Sequence, residues 1–123
     1  MLTSLHSRIA LSAIFFTFAL GAWAAWNYFR GRDISPNFWG ALIIGEILMI
    51  AQGLIGFVLL ITGARPEDIL HLLYGILVAL TLPGVYIYTG GRTTRHEAGI
   101  YAIVAFFTFG LLIRAVMTGG TLR

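Results

Sequence analysis

The sequence predicts an all-α integral membrane protein, a four-helix transmembrane bundle forming one domain over residues 1–123. Three observations carry this prediction. Hydrophobic residues make up 59% of the chain and charged residues 11%, whereas a soluble domain is about 45–50% apolar and about 25% charged. Apolar stretches of the length needed to cross a hydrocarbon core, roughly 20 residues at about 1.5 Å each, occur four times. The segments between them are short, so no length remains for a separate soluble catalytic domain.

The first span is expected over residues 9–29, with His6 and Arg8 at its entrance and Trp23, Trp26 and Tyr28 as an interfacial aromatic belt near its exit. The basic start and Ala22-Trp23-Ala24 resemble a signal peptide, but the apolar run is longer than a typical signal core. Ser35-Pro36 opens the second span, residues 36–62, as an N-cap followed by proline at the first helical position. Pro66, Glu67 and Asp68 suit the N-terminus of the third, residues 69–89, where Pro83 should kink the helix. The segment from Gly90 to Glu97, including His96, reads as a solvated turn, and the fourth span covers residues 98–117. Tyr86 and Tyr88 read as a second part of the aromatic belt.

An even number of crossings puts both termini on one side with the loop around Arg65, and the loops near Arg32 and Arg92 on the other. Arg30, Arg32, Arg92 and Arg95 then face Arg8, Arg65, Arg114 and Arg123 across the membrane. With Arg8 and Arg114 engaged in binding, the excess favours the first group as cytoplasmic and the termini as non-cytoplasmic. The expected location is a prokaryotic inner or plasma membrane.

An internal comparison is the most informative pattern. Leu5-His6 enters the first helix and Leu70-His71 the third, and the halves close on Ile61-Thr62-Gly63-Ala64 and Met117-Thr118-Gly119-Gly120. This reads as two related helical hairpins about an axis along the membrane normal. Such an axis would bring His6 and His71 to face each other near one surface.

With no cysteine in the chain, two neutral histidines are the best axial pair it can offer to a haem b iron. Arg8 and Arg114 approach the same surface, and the planar guanidinium fork suits propionate carboxylates. In architecture the arrangement resembles the haem-carrying four-helix anchors of respiratory enzymes, which implies an electron-transfer subunit of an oxidoreductase. The competing reading puts the histidines at headgroup level and lets the arginines snorkel to the interface.

Glu46 lies well inside the second span, where an ionisable group costs roughly 2.5–3.5 kcal/mol on insertion scales. It would serve proton or cation coupling, a hydrogen bond to a quinone, or an interhelical hydrogen bond. Small multidrug exporters also combine four spans with a membrane glutamate, but in their first helix. Gln52, about 9 Å further along the axis and on a different face, does not form a simple pair with it. Small residues four apart, at Gly21 and Ala25, Ala41 and Gly45, Gly75 and Ala79, and Ala98 and Ala102, would let helices approach closely.

All eight basic residues are arginine and the net charge is only +3, which argues against a nucleic-acid surface. No Walker loop, nucleophile elbow or His-Glu-x-x-His motif occurs, so independent catalysis is not expected. The function expected from sequence is a small membrane b-type cytochrome or haem-binding subunit with one haem between His6 and His71. The alternatives are an accessory or assembly subunit without cofactor, and a small transporter using Glu46. Expected partners are the lipid bilayer, other membrane subunits or further copies of the chain, and a quinone.

Overall fold

A computed structural model describes residues 2–66 and 68–119; Glu67, Gly120 and Arg123, invoked above, lie outside the described residues. The described chain forms four helices, α1 (Leu2–Phe29), α2 (Pro36–Ile61), α3 (Leu70–Thr89) and α4 (Arg95–Gly119). All four are long and apolar enough to cross a membrane. Each packs against two neighbours in the ring order α1, α2, α3, α4, with α1–α4 the most extensive contact and α2–α3 the thinnest.

Two helices begin earlier than their apolar cores. The α1 helix starts at Leu2 rather than Ile9, so His6 and Arg8 are helical residues rather than an entrance segment. The α4 helix starts at Arg95, which makes His96 and Glu97 its first turn instead of loop. The cause there is a capping box: Glu97 Oε1 accepts the Thr94 backbone N–H at 3.1 Å and also the Thr94 hydroxyl. Ser35 caps α2 as expected, its hydroxyl accepting Phe38 N–H at 3.2 Å. Just ahead of α3, whose N-cap position is Ile69, Asp68 Oδ1 accepts Leu70 N–H at 2.9 Å. Gly90 ends α3 with φ of 63°, a left-handed conformation that favours glycine. Between these caps α3 runs uninterrupted through Pro83, whose missing N–H leaves the Ala79 carbonyl without its helical donor.

The α1–α4 seam is made largely of small residues, α2 and α3 bury Phe38, Leu42, Met49, Val78, Leu82 and Val85, and the outside carries large residues. Ala10, Ala13, Thr17, Gly21 and Ala24 of α1 are buried, as are Ala98, Ala102, Ala105, Thr108 and Ala115 of α4. Ile43, Ile47 and Leu54 of α2 and Ile76, Leu80 and Ile87 of α3 are exposed. This inverts the pattern of a soluble bundle, and it suits a solvent in which close backbone approach, rather than exclusion of water, holds helices together. A Cβ on Gly21 would stand 2.9 Å from the Phe106 ring, which shows how closely α4 approaches α1. Buried threonines return their hydroxyls to carbonyls of the preceding turn, and Thr108 donates across to Thr81 at 2.8 Å.

The two ends of the bundle differ. At the end holding the α1–α2 and α3–α4 loops, Phe38 packs edge-on against Trp23 and Tyr101, and Trp39 against Tyr86 and Tyr101, with centroids 5.4 to 5.9 Å apart. Ile34 N–H donates to Thr93 O at 2.8 Å, and Arg95 Nε donates to Tyr28 O at 2.6 Å, tying the two loops together. That end is filled. The opposite end, where α1 and α3 begin and α2 and α4 finish, is not.

Candidate functional site

His6 on the second turn of α1 and His71 on the first turn of α3 meet at the open end. Their ring centroids are 6.0 Å apart with ring planes at 77°. His6 is 7% exposed. The diagonal helices α1 and α3 make no extensive backbone contact, so the two imidazoles are what bridge them.

Each ring sits against a glycine on the partner helix of its own hairpin. A Cβ on Gly56 of α2 would lie 3.2 Å from His6 Cε1, and Gln52, one helical turn earlier, donates its Nε2 to the His6 carbonyl at 2.8 Å. A Cβ on Gly119 of α4 would lie 2.6 Å from His71 Cε1, and Ala115, one turn earlier, has its carbonyl 2.6 Å from His71 Nδ1. A carbonyl only accepts, so His71 Nδ1 carries the hydrogen and a neutral ring presents the Nε2 lone pair. A backbone carbonyl on the far nitrogen is the usual way a metal-binding histidine is oriented. His6 Nδ1 has no hydrogen-bond partner although buried, and the same holds for Gln52 Oε1.

The histidines line a cavity of about 590 Å³, within the range of about 300–1,000 Å³ usual for cofactor and small-molecule sites. Met49, Val78, Leu112 and Val116 give it apolar walls, and Gly53, Gly56 and Gly75 widen it where α2 and α3 barely touch. Its polar groups are His6, His71, Gln52, Thr3 and Arg65.

Neither a protein-family model, nor a curated protein, nor a solved structure matches the chain. The site is therefore argued from its own chemistry. The ring separation is that of an edge-on aromatic pair, and it is also close to the roughly 6 Å between the centroids of two imidazoles that ligate one metal ion at about 2.0–2.1 Å. Among the described residues there is no group of three or more His, Cys, Asp or Glu side chains able to hold a metal ion.

The remaining sequence-predicted residues fall elsewhere. Arg8 is exposed and does not line the cavity. Arg114 is also exposed, with its guanidinium 5.8 Å from the centre of the Tyr74 ring, and it borders a separate open cavity of about 500 Å³ with Asp68 and Thr118. The cation at the main cavity is Arg65, whose Nη1 donates to Leu60 O at 2.7 Å and Ala64 O at 3.0 Å. Sequence reasoning missed this role, although Arg65 stands in the loop directly ahead of the helix bearing His71. Glu46 does not line the cavity, and its Oε1 is buried without a partner.

Proposed function

We propose that this chain is a small multi-pass membrane protein that holds one haem b between His6 and His71 and transfers electrons, as a subunit of a larger membrane assembly or as further copies of itself. The observation that carries the reading is the pair of imidazoles 6.0 Å apart at the wall of a 590 Å³ cavity, one of them with its lone pair presented by a hydrogen bond on the opposite nitrogen.

In this reading His6 and His71 would hold the group through their imidazole nitrogens, and the group would supply the one-electron chemistry. Arg65, rather than Arg8 or Arg114, stands at the cavity to meet a propionate carboxylate. The apolar walls exclude water from the ring. The thin α2–α3 seam leaves the cavity's edge toward the bilayer, where a lipid-soluble electron carrier such as a quinone would approach. Cavity-directed geometry does not support the transporter alternative, because Glu46 lies off the cavity wall.

The test is a reduced-minus-oxidised difference spectrum of the full chain purified in mild detergent after haem supplementation. Sharp Soret and visible bands of a six-coordinate low-spin haem are expected. A flat spectrum refutes the reading.

A further inference from the structure

His6 and His71 each sit against a glycine but are not held alike. We infer that His71 is the permanent axial ligand and His6 the exchangeable one, so that a small neutral diatomic molecule of the carbon monoxide class takes the place of His6 on the reduced iron. This rests on the haem reading above and goes beyond it, because it assigns a ligand-binding position in addition to electron transfer.

His71 is fixed from three directions. Its Nδ1–H donates to the Ala115 carbonyl at 2.6 Å, in the last turn of α4 where the carbonyl end of the helix dipole favours a polarised N–H. Its ring lies so close to Gly119 that a Cβ there would be 2.6 Å away. The backbone ahead of it is stapled to the end of α4: Asp68 N–H donates to Thr118 O at 2.8 Å, and His71 N–H donates to Asp68 O at 3.0 Å. The ring cannot turn without breaking these contacts.

His6 lacks the equivalent fixation. Its Nδ1 is buried with no hydrogen-bond partner, and the hydrogen bond from Gln52 Nε2 is accepted by its backbone carbonyl. An imidazole without an acceptor on its far nitrogen is both less basic and less well oriented as a metal ligand. Thr3, Ser4 and Leu5 ahead of it are exposed, and a first turn with little packing frays readily. The wall beside it is also the roomier one. A Cβ on Gly56 would be 3.2 Å from His6 Cε1, and one on Gly53 would meet nothing within 4 Å.

Exchange breaks the bond between iron and the His6 nitrogen, which departs neutral with its lone pair. The incoming carbon lone pair forms the new bond. No electron or proton is transferred. Gln52 is the polar side chain on the vacated side, with an unpartnered Oε1 and an amide nitrogen within reach of His6.

The experiment uses the full chain in detergent micelles, loaded with haem, reduced with dithionite and equilibrated with carbon monoxide. The wild type should pass from a six-coordinate low-spin spectrum to a photolysable carbon monoxide form. His6→Ala should retain haem as a five-coordinate high-spin species and bind carbon monoxide faster than the wild type, with no histidine to displace. His71→Ala should weaken haem binding by about tenfold or more, with circular dichroism confirming that each variant keeps its helices. A wild-type spectrum unchanged under saturating carbon monoxide overturns the exchange and leaves the haem reading standing. Haem retained by His71→Ala and lost by His6→Ala overturns the assignment of roles. A wild type that takes up no haem overturns both inferences together.

Discussion

Substituting Gly119 by alanine tests the tight seat of His71 without any cofactor. The new Cβ would lie 2.6 Å from both Cε1 and Nδ1 of the ring, a separation that carbon and nitrogen do not tolerate, so the ring must move. Retreat stretches the 2.6 Å bond from Nδ1–H to the Ala115 carbonyl. Overpacking of this kind costs about 1–3 kcal/mol, and a weakened buried hydrogen bond about 0.5–1.5 kcal/mol more. Against this stands the helix preference of alanine over glycine, at most about 1 kcal/mol and less at the final residue of a helix. The expected net loss is about 1–3 kcal/mol. Two glycines of α2 serve as internal controls. At Gly56 the nearest atom would be 3.2 Å away, which a small shift of the His6 ring relieves, and at Gly53 nothing lies within 4 Å. Thermal unfolding in detergent, followed by circular dichroism, should therefore rank Gly53→Ala at or above wild type, Gly56→Ala near it and Gly119→Ala clearly below. If Gly119→Ala melts with Gly53→Ala, the contact between α4 and His71 is not as described.

Two further outcomes follow from single contacts. Thr108→Val removes the 2.8 Å hydrogen bond to Thr81 across the α3–α4 seam and should cost about 0.6 kcal/mol and no more than about 1.7 kcal/mol, the span for such bonds between membrane helices; if the cost in a Thr81→Val background equals that in wild type, the two hydroxyls are not coupled. Arg65→Ala should speed haem loss from the loaded protein, whereas Arg8→Ala should leave it at the wild-type rate, because only Arg65 lines the cavity; haem transfer to apomyoglobin measures both, and the opposite ranking refutes the placement of the carboxylates.

The helices were legible in the sequence because an apolar run of crossing length is a strong signal, and the errors fell where a polar segment continues the helix. Residues Leu2 to Arg8 and Arg95 to Glu97 lack hydropathy, but the Thr94–Glu97 box was readable and marks the true start of α4. Inward faces were harder to read. Both faces of these helices are apolar, so the contrast that matters is small against large, as in the Ala10, Ala13, Thr17, Gly21 and Ala24 stripe. The histidine pair was legible through the Leu5-His6 and Leu70-His71 repeat. Its seats were not, because they consist of a backbone carbonyl and two missing Cβ atoms. Arg8 follows His6 by two residues, which rotates it about 200° around the helix, and that turns it away from any cavity His6 faces. A loop residue such as Arg65 is under no such constraint.

The lining of the cavity constrains what can occupy it, because the cavity is open at the thin α2–α3 seam rather than enclosed. Lipid chains entering through the thin α2–α3 seam would satisfy Met49, Val78 and Leu112, yet would leave His6 Nδ1 and Gln52 Oε1 as bare polar atoms in hydrocarbon. A group with an apolar periphery and a metal centre would meet the apolar walls and the Nε2 lone pair that His71 presents, and a polar substituent on it would be needed to meet His6 Nδ1 and Gln52 Oε1. Xenon or alkane binding to the apoprotein separates the cases. An apolar occupant should compete poorly with haem for the space, and a protein whose cavity is filled equally well by a hydrocarbon in the presence of excess haem would not be a haem protein.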